Sequence, residues 1–216
     1  MVGAVSAAEV FCQLAKQAAL PCDVVELRVD ALRAEERRLP LQAACPKPLL
    51  LTLRHRSEGG ACAWDEPTRL RQALELLPAA AALDWEIAQL PAAGELMQAA
   101  KAMGVPVIAS AHYFHSMPSV REMRELEQQA HAAGATVVKI AFTPAHEADV
   151  QSGLEFLKGC SMPAAIMGMG PLGPSSRLLY TAHGSALLYG YLGATPTAPG
   201  QLSAEQCLSL REQARS

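Results

Sequence analysis

Short apolar runs alternate along this chain with longer stretches of helical spacing, and this alternation is the feature that most constrains the fold. Strands that alternate with helices form a parallel sheet, because each helix returns the chain to the start of the next strand. The pattern predicts strands at residues 2–5, 23–30, 49–54, 81–87, 106–112, 135–142, 164–167 and 185–189. Eight such units in 216 residues predict an α/β fold, a single (β/α)8 TIM barrel that forms one domain over residues 1–216.

The charge composition argues against several classes of partner. The net charge is −3 and Lys and Arg form no block, so the chain offers no basic patch for nucleic acid or for an acidic membrane surface. No apolar run approaches the roughly 18 residues that span a bilayer, and the N-terminus does not resemble a secretion signal. The cysteines lack the Cys-x-x-Cys spacing of a zinc site. We therefore predict a cytoplasmic protein that acts on a small molecule, without nucleic acid, membrane or metal.

One predicted strand, T-V-V-K-I-A-F at residues 136–142, contains a lysine among apolar side chains. A buried ammonium group costs several kcal/mol unless it is paired or neutralised. Either Lys139 reaches out to solvent, or its amine is needed for chemistry. An amine in a dry site near other cations loses part of its ammonium character, and it can then attack a ketone and form an imine.

Polar side chains occupy alternate positions in five predicted strands. Side chains alternate between the two faces of a strand, so one phase points into a barrel and the other points toward the helices. The inward phase holds Glu26, Arg28, Asp30, Thr52, Arg54, Asp84, Glu86, Ser110, His112 and Lys139. These groups lie toward the C-terminal ends of their strands, where barrel active sites are built. The alternative is a set of structural ion pairs inside the barrel.

The residue types in this set are suited to chemistry on an anionic ketone. His112 titrates near neutrality and could move protons beside an imine on Lys139. A planar guanidinium group, on Arg28, Arg54 or Arg177, binds a carboxylate or a phosphate with two hydrogen bonds. A glycine-rich segment around Arg177 could also hold an anion with backbone amides. Composition does not decide between an organic acid and a sugar phosphate.

Seven motifs, in order along the chain, resemble those of the type I 3-dehydroquinate dehydratases. They are E-L-R-V-D at 26–30, T-L-R-H-R-S-E-G-G at 52–60, D-W-E at 84–86, S-A-H-Y-F at 110–114, V-K-I-A at 138–141, M-G-P-L-G-P-S-S-R at 169–177 and T-A-P-G-Q at 197–201. The resemblance implies a (β/α)8 barrel, usually a homodimer, that needs neither metal nor organic cofactor. Such an enzyme converts 3-dehydroquinate to 3-dehydroshikimate in the shikimate pathway.

The resemblance also implies roles for particular side chains. Lys139 matches the imine-forming lysine, and His112 matches a general acid/base for a syn elimination. Glu58 matches a carboxylate that hydrogen-bonds this histidine, fixes its ring and raises its pKa. The residues that match substrate-binding positions are Glu26, Arg28, Arg54, Arg177, Thr197, Gln201, Phe114, Met167 and Met169. A serine expected on the first strand has no counterpart, because Gly3 stands near that position.

Two other functions compete with this interpretation. A class I aldolase would use the same fold and the same imine on a sugar phosphate, although Arg177 suits a carboxylate better than a phosphate. A catalytically silent barrel kept as an interaction partner would have lost Lys139 or His112. Both residues are present.

Overall fold

Eight parallel strands form one sheet in the computed structural model, which describes residues 1–14, 16–17, 19–42, 45–197 and 200–213. The strands are β1 (Val2–Val5), β2 (Val24–Arg28), β3 (Leu49–Thr52), β4 (Ala82–Glu86), β5 (Val107–Tyr113), β6 (Val137–Phe142), β7 (Ala164–Gly168) and β8 (Tyr189–Tyr191). Neighbours in sequence are neighbours in the sheet, and β1 pairs with both β2 and β8. Just before β8, Ala186 donates its backbone N–H to Ala164 of β7 over 2.8 Å, which brings the two ends of the sheet together. This is the predicted α/β barrel.

Helices follow the strands and pack on the outside of the sheet. They are α1 (Ala8–Leu14), α2 (Leu39–Gln42), α3 (Glu66–Leu76), α4 (Gly94–Ala102), α5 (Val120–Ala132), α6 (Glu147–Lys158), α7 (Gly173–Ala182) and α8 (Ala204–Gln213). The start of α5 shows why such a helix begins where it does. Ser119 accepts a hydrogen bond from the backbone of Glu122, and the Glu122 carboxylate accepts one from the backbone of Ser119. Within the described ranges, no helix has both the length and the apolar character needed to cross a membrane.

The apolar side chains of the strands divide into two layers. Those of the outward phase, such as Leu27, Trp85 and Ile140, pack against the helices in the main core. A smaller cluster fills the barrel interior, and it contains Val2, Leu50, Ile108, Ala141, Met167, Met169 and Tyr189. The division confirms the predicted phases, because the inward polar side chains share the interior with this second cluster.

The last strand lies later in the chain than predicted. The sequence predicts it at residues 185–189, whereas β8 comprises Tyr189–Tyr191. The serine hydroxyl of Ser185 accepts a hydrogen bond from the backbone N–H of Ile166 over 3.2 Å. The Ser185 hydroxyl therefore replaces a backbone carbonyl as the acceptor for Ile166 of β7. For this reason residues 185–188 do not form regular backbone hydrogen bonds with β7, although they are largely apolar.

Two other strands end two residues earlier than predicted, for a related reason. β2 stops at Arg28 and β3 stops at Thr52. The Asp30 carboxylate accepts hydrogen bonds from the backbone N–H groups of Arg54, over 3.1 Å, and of Ala61, over 3.0 Å. The side chain holds these backbone groups in place of a ladder, so the chain can leave the sheet at the mouth of the barrel.

Gly3 does not face the cavity, so a serine at this position could not contact a substrate. A Cβ atom at this position would lie 2.4 Å from Cδ1 of Leu192, a residue of the outer core. Gly3 therefore faces the helices, and its lack of a side chain lets Leu192 approach the strand. The inward positions of β1 belong to Val2 and Ala4, neither of which carries a polar side-chain group.

Candidate active site

A cavity of about 200 Å³ opens at the C-terminal ends of the strands. It brings together the whole set of site residues that the sequence predicts: Glu26, Arg28, Arg54, Glu58, His112, Phe114, Lys139, Met167, Met169, Arg177, Thr197 and Gln201. Gly59, Ala141 and Tyr189 also line it. Ala198 and Pro199, which belong to the last predicted motif, lie outside the described residues.

The Lys139 amine points into this cavity and is 4% exposed, so it does not reach out to bulk solvent. Its Nζ donates a hydrogen bond to Oδ2 of Asp84 over 2.9 Å. On another side, Nζ lies 4.2 Å from the centroid of the Tyr189 ring, a distance typical of a cation–π contact. A carboxylate and an aromatic face therefore surround the amine, and Arg54 lies on the far side of that carboxylate.

Arg54 organises the charged interior below the cavity. Its guanidinium group contacts Asp84 over 2.9 Å and Glu86 over 3.0 Å, and it donates to Ser110 over 2.6 Å. Glu86 is held from its other side by the buried Arg69, over 2.6 Å. Positive and negative groups thus alternate across this part of the barrel, so each of these four buried charges has an opposite neighbour. Burial works against ionisation of Asp84, but Arg54 and Lys139 hold its pKa well below the ordinary value.

His112 lies at the end of β5, on the strand next to Lys139, and two residues nearer the mouth of the barrel. The register shows this, because Ser110 pairs with Lys139 and His112 pairs with Ala141. Its Nδ1 is 2.8 Å from Oε2 of Glu58, so the predicted hydrogen bond between these two side chains is confirmed. Nδ1 is thus engaged, and among the described residues Nε2 has no hydrogen-bond partner.

The pKa of His112 is lower than its ordinary value, whereas its pairing with Glu58 predicts a raised pKa. Burial, together with the charges of Arg54 and Lys139, lowers the pKa of His112 well below its ordinary value. Burial also raises the pKa of Glu58 to about 7, although Arg54 opposes this. Desolvation disfavours both charged forms, and this outweighs the attraction expected from an exposed His–Glu pair. The two groups therefore form a coupled pair that gains or loses a proton near neutral pH.

Phe114 and Gly59 shape the space around the imidazole. The rings of Phe114 and His112 are stacked, with centroids 6.4 Å apart. Gly59 adopts a left-handed conformation, with φ of 82°, and a Cβ atom there would lie 2.8 Å from Cζ of Phe114. Glycine is therefore required on both steric and backbone grounds. The close approach of this loop carries Glu58 to His112.

Arg177 is the cation best placed to receive an anion. It lies on α7, is 4% exposed, and donates to the backbone oxygen atoms of Gly168 over 3.1 Å and Tyr189 over 3.3 Å. Among the described residues, no carboxylate forms a salt bridge with it. Burial lowers its pKa accordingly. An anionic group entering the cavity would supply the missing counter-charge.

Glu26 and Arg28 line the β2 side of the cavity. Glu26 accepts a hydrogen bond from the Thr52 hydroxyl over 2.7 Å. Arg28 forms two hydrogen bonds with the Asp30 carboxylate, over 2.9 and 2.7 Å. Burial would raise the pKa of Asp30, but these bonds from Arg28 lower it, so the pair stays ionised. Both cavity residues are thus oriented by neighbours outside the cavity.

The segment after β8 covers the β7 side of the cavity. Thr197 donates both its backbone N–H, over 3.0 Å, and its hydroxyl, over 2.7 Å, to Oε1 of Gln201. Gly200 has a φ of 69°, and a Cβ atom on it would lie 2.9 Å from the backbone oxygen of Gly170. The loops that follow β7 and β8 therefore touch, and the side-chain amide of Gln201 fixes the turn.

The carboxylates that face the cavity are held by protein groups. Glu26 is engaged by Thr52, and Asp84 is engaged by Lys139 and Arg54. In the part of the chain that the structure describes, histidine, cysteine and carboxylate side chains form no group of three or more that could hold a metal ion.

Two residues that contact the Lys139 amine, Asp84 and Tyr189, were absent from the predicted catalytic and substrate-binding residues. Asp84 carried a signal, because it lies in the inward phase of β4 within the D-W-E motif. The strand register places Glu86 level with Ser110 and Lys139, so the contact between Asp84 and Lys139 depends on their side chains. Tyr189 carried a weaker one. The sequence predicts a strand that ends at this residue, whereas β8 begins there and the ring lies in the interior cluster.

Comparisons with known proteins agree with this geometry. The model of the type I 3-dehydroquinase family matches residues 2–214. A 3-dehydroquinate dehydratase of Methanocella arvoryzae is 33% identical over 199 residues, covering 90% of this chain and 89% of that protein. The corresponding protein of Methanothrix thermoacetophila is 31% identical over 184 residues, covering 85% and 78%. The crystal structure of 3-dehydroquinate dehydratase from Geobacillus kaustophilus is similar with a TM-score of 0.85 and 25% identity, covering 99% of this chain and 90% of that one.

Proposed function

The chain belongs to the type I 3-dehydroquinase family, and from this premise we propose how its cavity dehydrates 3-dehydroquinate. The activity is that of a 3-dehydroquinate dehydratase, a hydro-lyase of the shikimate pathway. The observation that carries the residue-level proposal is that one cavity contains both a buried lysine amine and a buried arginine. Among the described residues, the guanidinium of this arginine forms hydrogen bonds only with backbone oxygen atoms. A keto acid needs both groups, one for the ketone and one for the carboxylate.

Lys139 forms the covalent bond to the substrate. Its amine, once it has released a proton, attacks the ketone carbon, and loss of water gives a protonated imine. Asp84 stays ionised beside the nitrogen, and the face of Tyr189 lies on another side. Both stabilise the positive charge of the imine, which draws electrons from the neighbouring carbon.

His112 moves the protons of the elimination. The free Nε2 removes a proton from the methylene carbon next to the imine, and the electron pair of that C–H bond forms an enamine. The enamine then expels the hydroxyl group from the following carbon, and His112 returns the proton to the departing oxygen as water leaves. Because one imidazole performs both transfers, both occur on the same face of the ring and the elimination is syn. Hydrolysis of the new imine releases 3-dehydroshikimate and restores Lys139.

The other residues hold the substrate and exclude water. Arg177 binds the carboxylate, and Glu26 and Arg28 bind ring hydroxyl groups. The segment of Thr197 and Gln201 covers the ligand, while the apolar wall of Phe114, Met167 and Met169 keeps water from the imine. Arg54 has its guanidinium engaged by Asp84 and Glu86, so it acts through these carboxylates as a positioning residue.

The family match and the named relatives do not favour the alternative of a sugar-phosphate aldolase. A single catalytic domain over residues 1–216 and a cytoplasmic location, which the strand pattern and the composition predict, are parts of the proposal. A homodimer, which the resemblance of the motifs implies, is also part of it. Sedimentation velocity at several protein concentrations tests the homodimer. A monomer at micromolar concentration would contradict it.

Incubation with 3-dehydroquinate is expected to raise the ultraviolet absorbance, because the product is a conjugated enone. Addition of borohydride during turnover should reduce the imine to a secondary amine and inactivate the protein. Peptide mapping should then find the mass of the reduced ligand on the peptide that contains Lys139. Turnover without a borohydride adduct would reject the covalent route, and the absence of turnover would reject the activity itself.

The pH dependence of kcat/KM should report the coupled pair of His112 and Glu58. When the pair holds one proton, that proton lies between Nδ1 of His112 and the Glu58 carboxylate, and Nε2 can accept a proton from the substrate. When the pair holds two protons, Nε2 carries a hydrogen and cannot act as the base. Because the pKa of Glu58 is raised to about 7, we expect activity to fall as the pH drops through about 7. In Glu58→Gln the pair loses its acidic member, so the acid limb should move to lower pH, following the lowered pKa of His112.

The matched control for this profile is Glu155→Gln, which changes an exposed carboxylate on α6 and should leave the acid limb in place. An acid limb that does not move in Glu58→Gln would show that another group controls it. Protonation of the pair of His112 and Glu58 would then not control the activity.

A further inference from the structure

Asp30 is a buried carboxylate that the proposed mechanism does not use. It lies in the short turn that follows β2, is 2% exposed and is not among the residues that line the cavity. A buried charge is costly unless it is paired and hydrogen-bonded. Burial would raise the pKa of Asp30, but the bonds that it accepts from Arg28 and from backbone N–H groups lower it, so the group stays ionised.

The Asp30 carboxylate accepts two hydrogen bonds at each of its oxygen atoms. Oδ1 accepts from Nε of Arg28 over 2.9 Å and from the backbone N–H of Arg54 over 3.1 Å. Oδ2 accepts from Nη2 of Arg28 over 2.7 Å and from the backbone N–H of Ala61 over 3.0 Å. An asparagine has a single acceptor oxygen, so it could keep only half of these bonds.

Two of these bonds hold the two ends of one loop. The loop begins at Arg54, two residues after β3, and ends at Ala61. Because Oδ1 and Oδ2 are bonded to the same carbon atom, Asp30 keeps the ends of the loop close together. The beginning of the loop has a further tie, since His55 donates its backbone N–H to Glu86 over 2.8 Å.

Glu58 lies inside this loop, and the loop carries it to His112. The backbone oxygen of His55 accepts hydrogen bonds from the backbone N–H groups of Glu58 and Gly60, over 3.0 Å each, so the loop is compact. The Glu58 carboxylate then meets His112, with 2.8 Å between Oε2 and Nδ1. A loop released at Ala61 would no longer fix this distance, and a hydrogen bond weakens steeply when its geometry is lost.

The other two bonds orient Arg28, which lines the β2 side of the cavity. They engage Nε and Nη2, a two-point contact that fixes the plane of the guanidinium group. Nη2 also donates to the backbone oxygen of Gly59 over 3.3 Å, so Arg28 touches the same loop. Among the described residues, Nη1 of Arg28 has no hydrogen-bond partner, and it remains for a ligand.

We infer that Asp30 is a positioning residue for the dehydration, because one carboxylate holds both the loop that carries Glu58 to His112 and the guanidinium of Arg28. The inference rests on the proposed function, which gives the pair of Glu58 and His112 its part in proton transfer. Asp30 itself touches neither the substrate nor the imidazole. Its loss should therefore affect substrate binding through Arg28 and proton transfer through Glu58.

The first test is Asp30→Asn, which keeps the size of the side chain but halves its acceptors. We expect kcat/KM for 3-dehydroquinate to fall about 10- to 100-fold, the size of one lost hydrogen bond to a charged group. Part of the loss should be a higher KM, because Arg28 is no longer fixed. The acid limb of kcat/KM should move to lower pH, as in Glu58→Gln, because His112 without its partner follows its lowered pKa.

Two comparisons separate positioning from electrostatics and from stability. Asp30→Asn also removes a negative charge, and the effect of that charge on His112 would be the same with or without Glu58. In the Glu58→Gln background, Asp30→Asn should therefore move the acid limb no further if it acts by position. The control is Asp149→Asn, a half-buried carboxylate at the start of α6 that also accepts two backbone N–H groups, and it should keep the wild-type limb.

Ala61→Pro tests the loop without disturbing the buried charge, and it decides the matter if Asp30→Asn does not fold. It removes only the N–H that Asp30 accepts, the side chain of Ala61 is exposed, and Gly60 before it has no Cβ atom to clash with the proline ring. The acid limb should move as in Asp30→Asn, with KM closer to that of the wild type, because Arg28 stays paired.

An unmoved acid limb in Ala61→Pro overturns the inference, and so does an equal shift by Asp30→Asn with and without Glu58. The NMR titration of the His112 ring in the free protein repeats these comparisons without turnover. If the wild type does not turn over 3-dehydroquinate but this titration shifts as expected, the proposed function fails and the positioning by Asp30 stands.

Discussion

Lys139→Ala is expected to abolish the borohydride adduct and to lower kcat by roughly 10⁴-fold or more, within the range of rate enhancement that enzymes provide. The variant has no amine to join the ketone, so the proton next to it is no longer acidified by a protonated imine. Mass spectrometry after borohydride treatment and the enone absorbance assay measure the two effects. An adduct of normal yield in Lys139→Ala would end the assignment of this residue.

Two further variants protect this test from a loss of folding. Lys139→Arg keeps a cation beside Asp84, which would otherwise lose one of its buried partners, but it cannot form the imine under the same conditions. It should therefore be folded and inactive. Lys158→Ala removes an exposed amine from the last turn of α6 and should keep both adduct and activity. Circular dichroism before the assays confirms that each variant is folded.

His112→Ala is expected to slow turnover by about 10²–10⁴-fold, the usual contribution of a general acid/base. The imine should still form, although more slowly, because the amine and its partner Asp84 are unchanged. Borohydride should consequently trap a substrate adduct on Lys139 while the enone appears very slowly. This combination of a trapped ligand and lost elimination distinguishes a proton-transfer residue from one that only holds the site together.

The matched control for His112 is His131→Ala, an exposed imidazole in the last turn of α5, which should leave turnover unchanged. His112→Gln fills most of the space that alanine would leave beside Phe114. It should lose as much activity as His112→Ala if proton transfer is the cause. A near-normal rate in either His112 variant would reduce this residue to a structural role.

The inward direction of Lys139 and His112 could be predicted because it depends only on local geometry. Alternation along a strand is a property of the backbone, and the apolar residues around Lys139 identify which phase faces the helices. The structure confirms this, since Val138 and Ile140 lie in the outer core while Lys139 lines the cavity. The seven motifs then selected one family among the many that share such a barrel.

The strand boundaries and the proton affinities could not be predicted in this way. Asp30 ends two strands by accepting hydrogen bonds from a loop that is distant in sequence, and Ser185 interrupts the approach to β8 by contacting Ile166. The sign of the pKa shift of His112 depends on how completely the barrel removes water and on the distances to Arg54 and Lys139. All of these features depend on residues that are far apart in the sequence.

By itself, the sequence determined the number and order of the strands, the phase of each side chain, and the chemistry of the inward groups, because backbone periodicity and residue type act over a few neighbouring positions. Only the tertiary structure decided which of those groups meet. It joined Lys139 to Asp84 and made His112 a weaker base than its Glu58 partner suggested. It also left the Tyr189 hydroxyl without an acceptor among the described residues. Charge pairing and desolvation depend on closing the sheet into a ring, which brings together residues far apart along the chain.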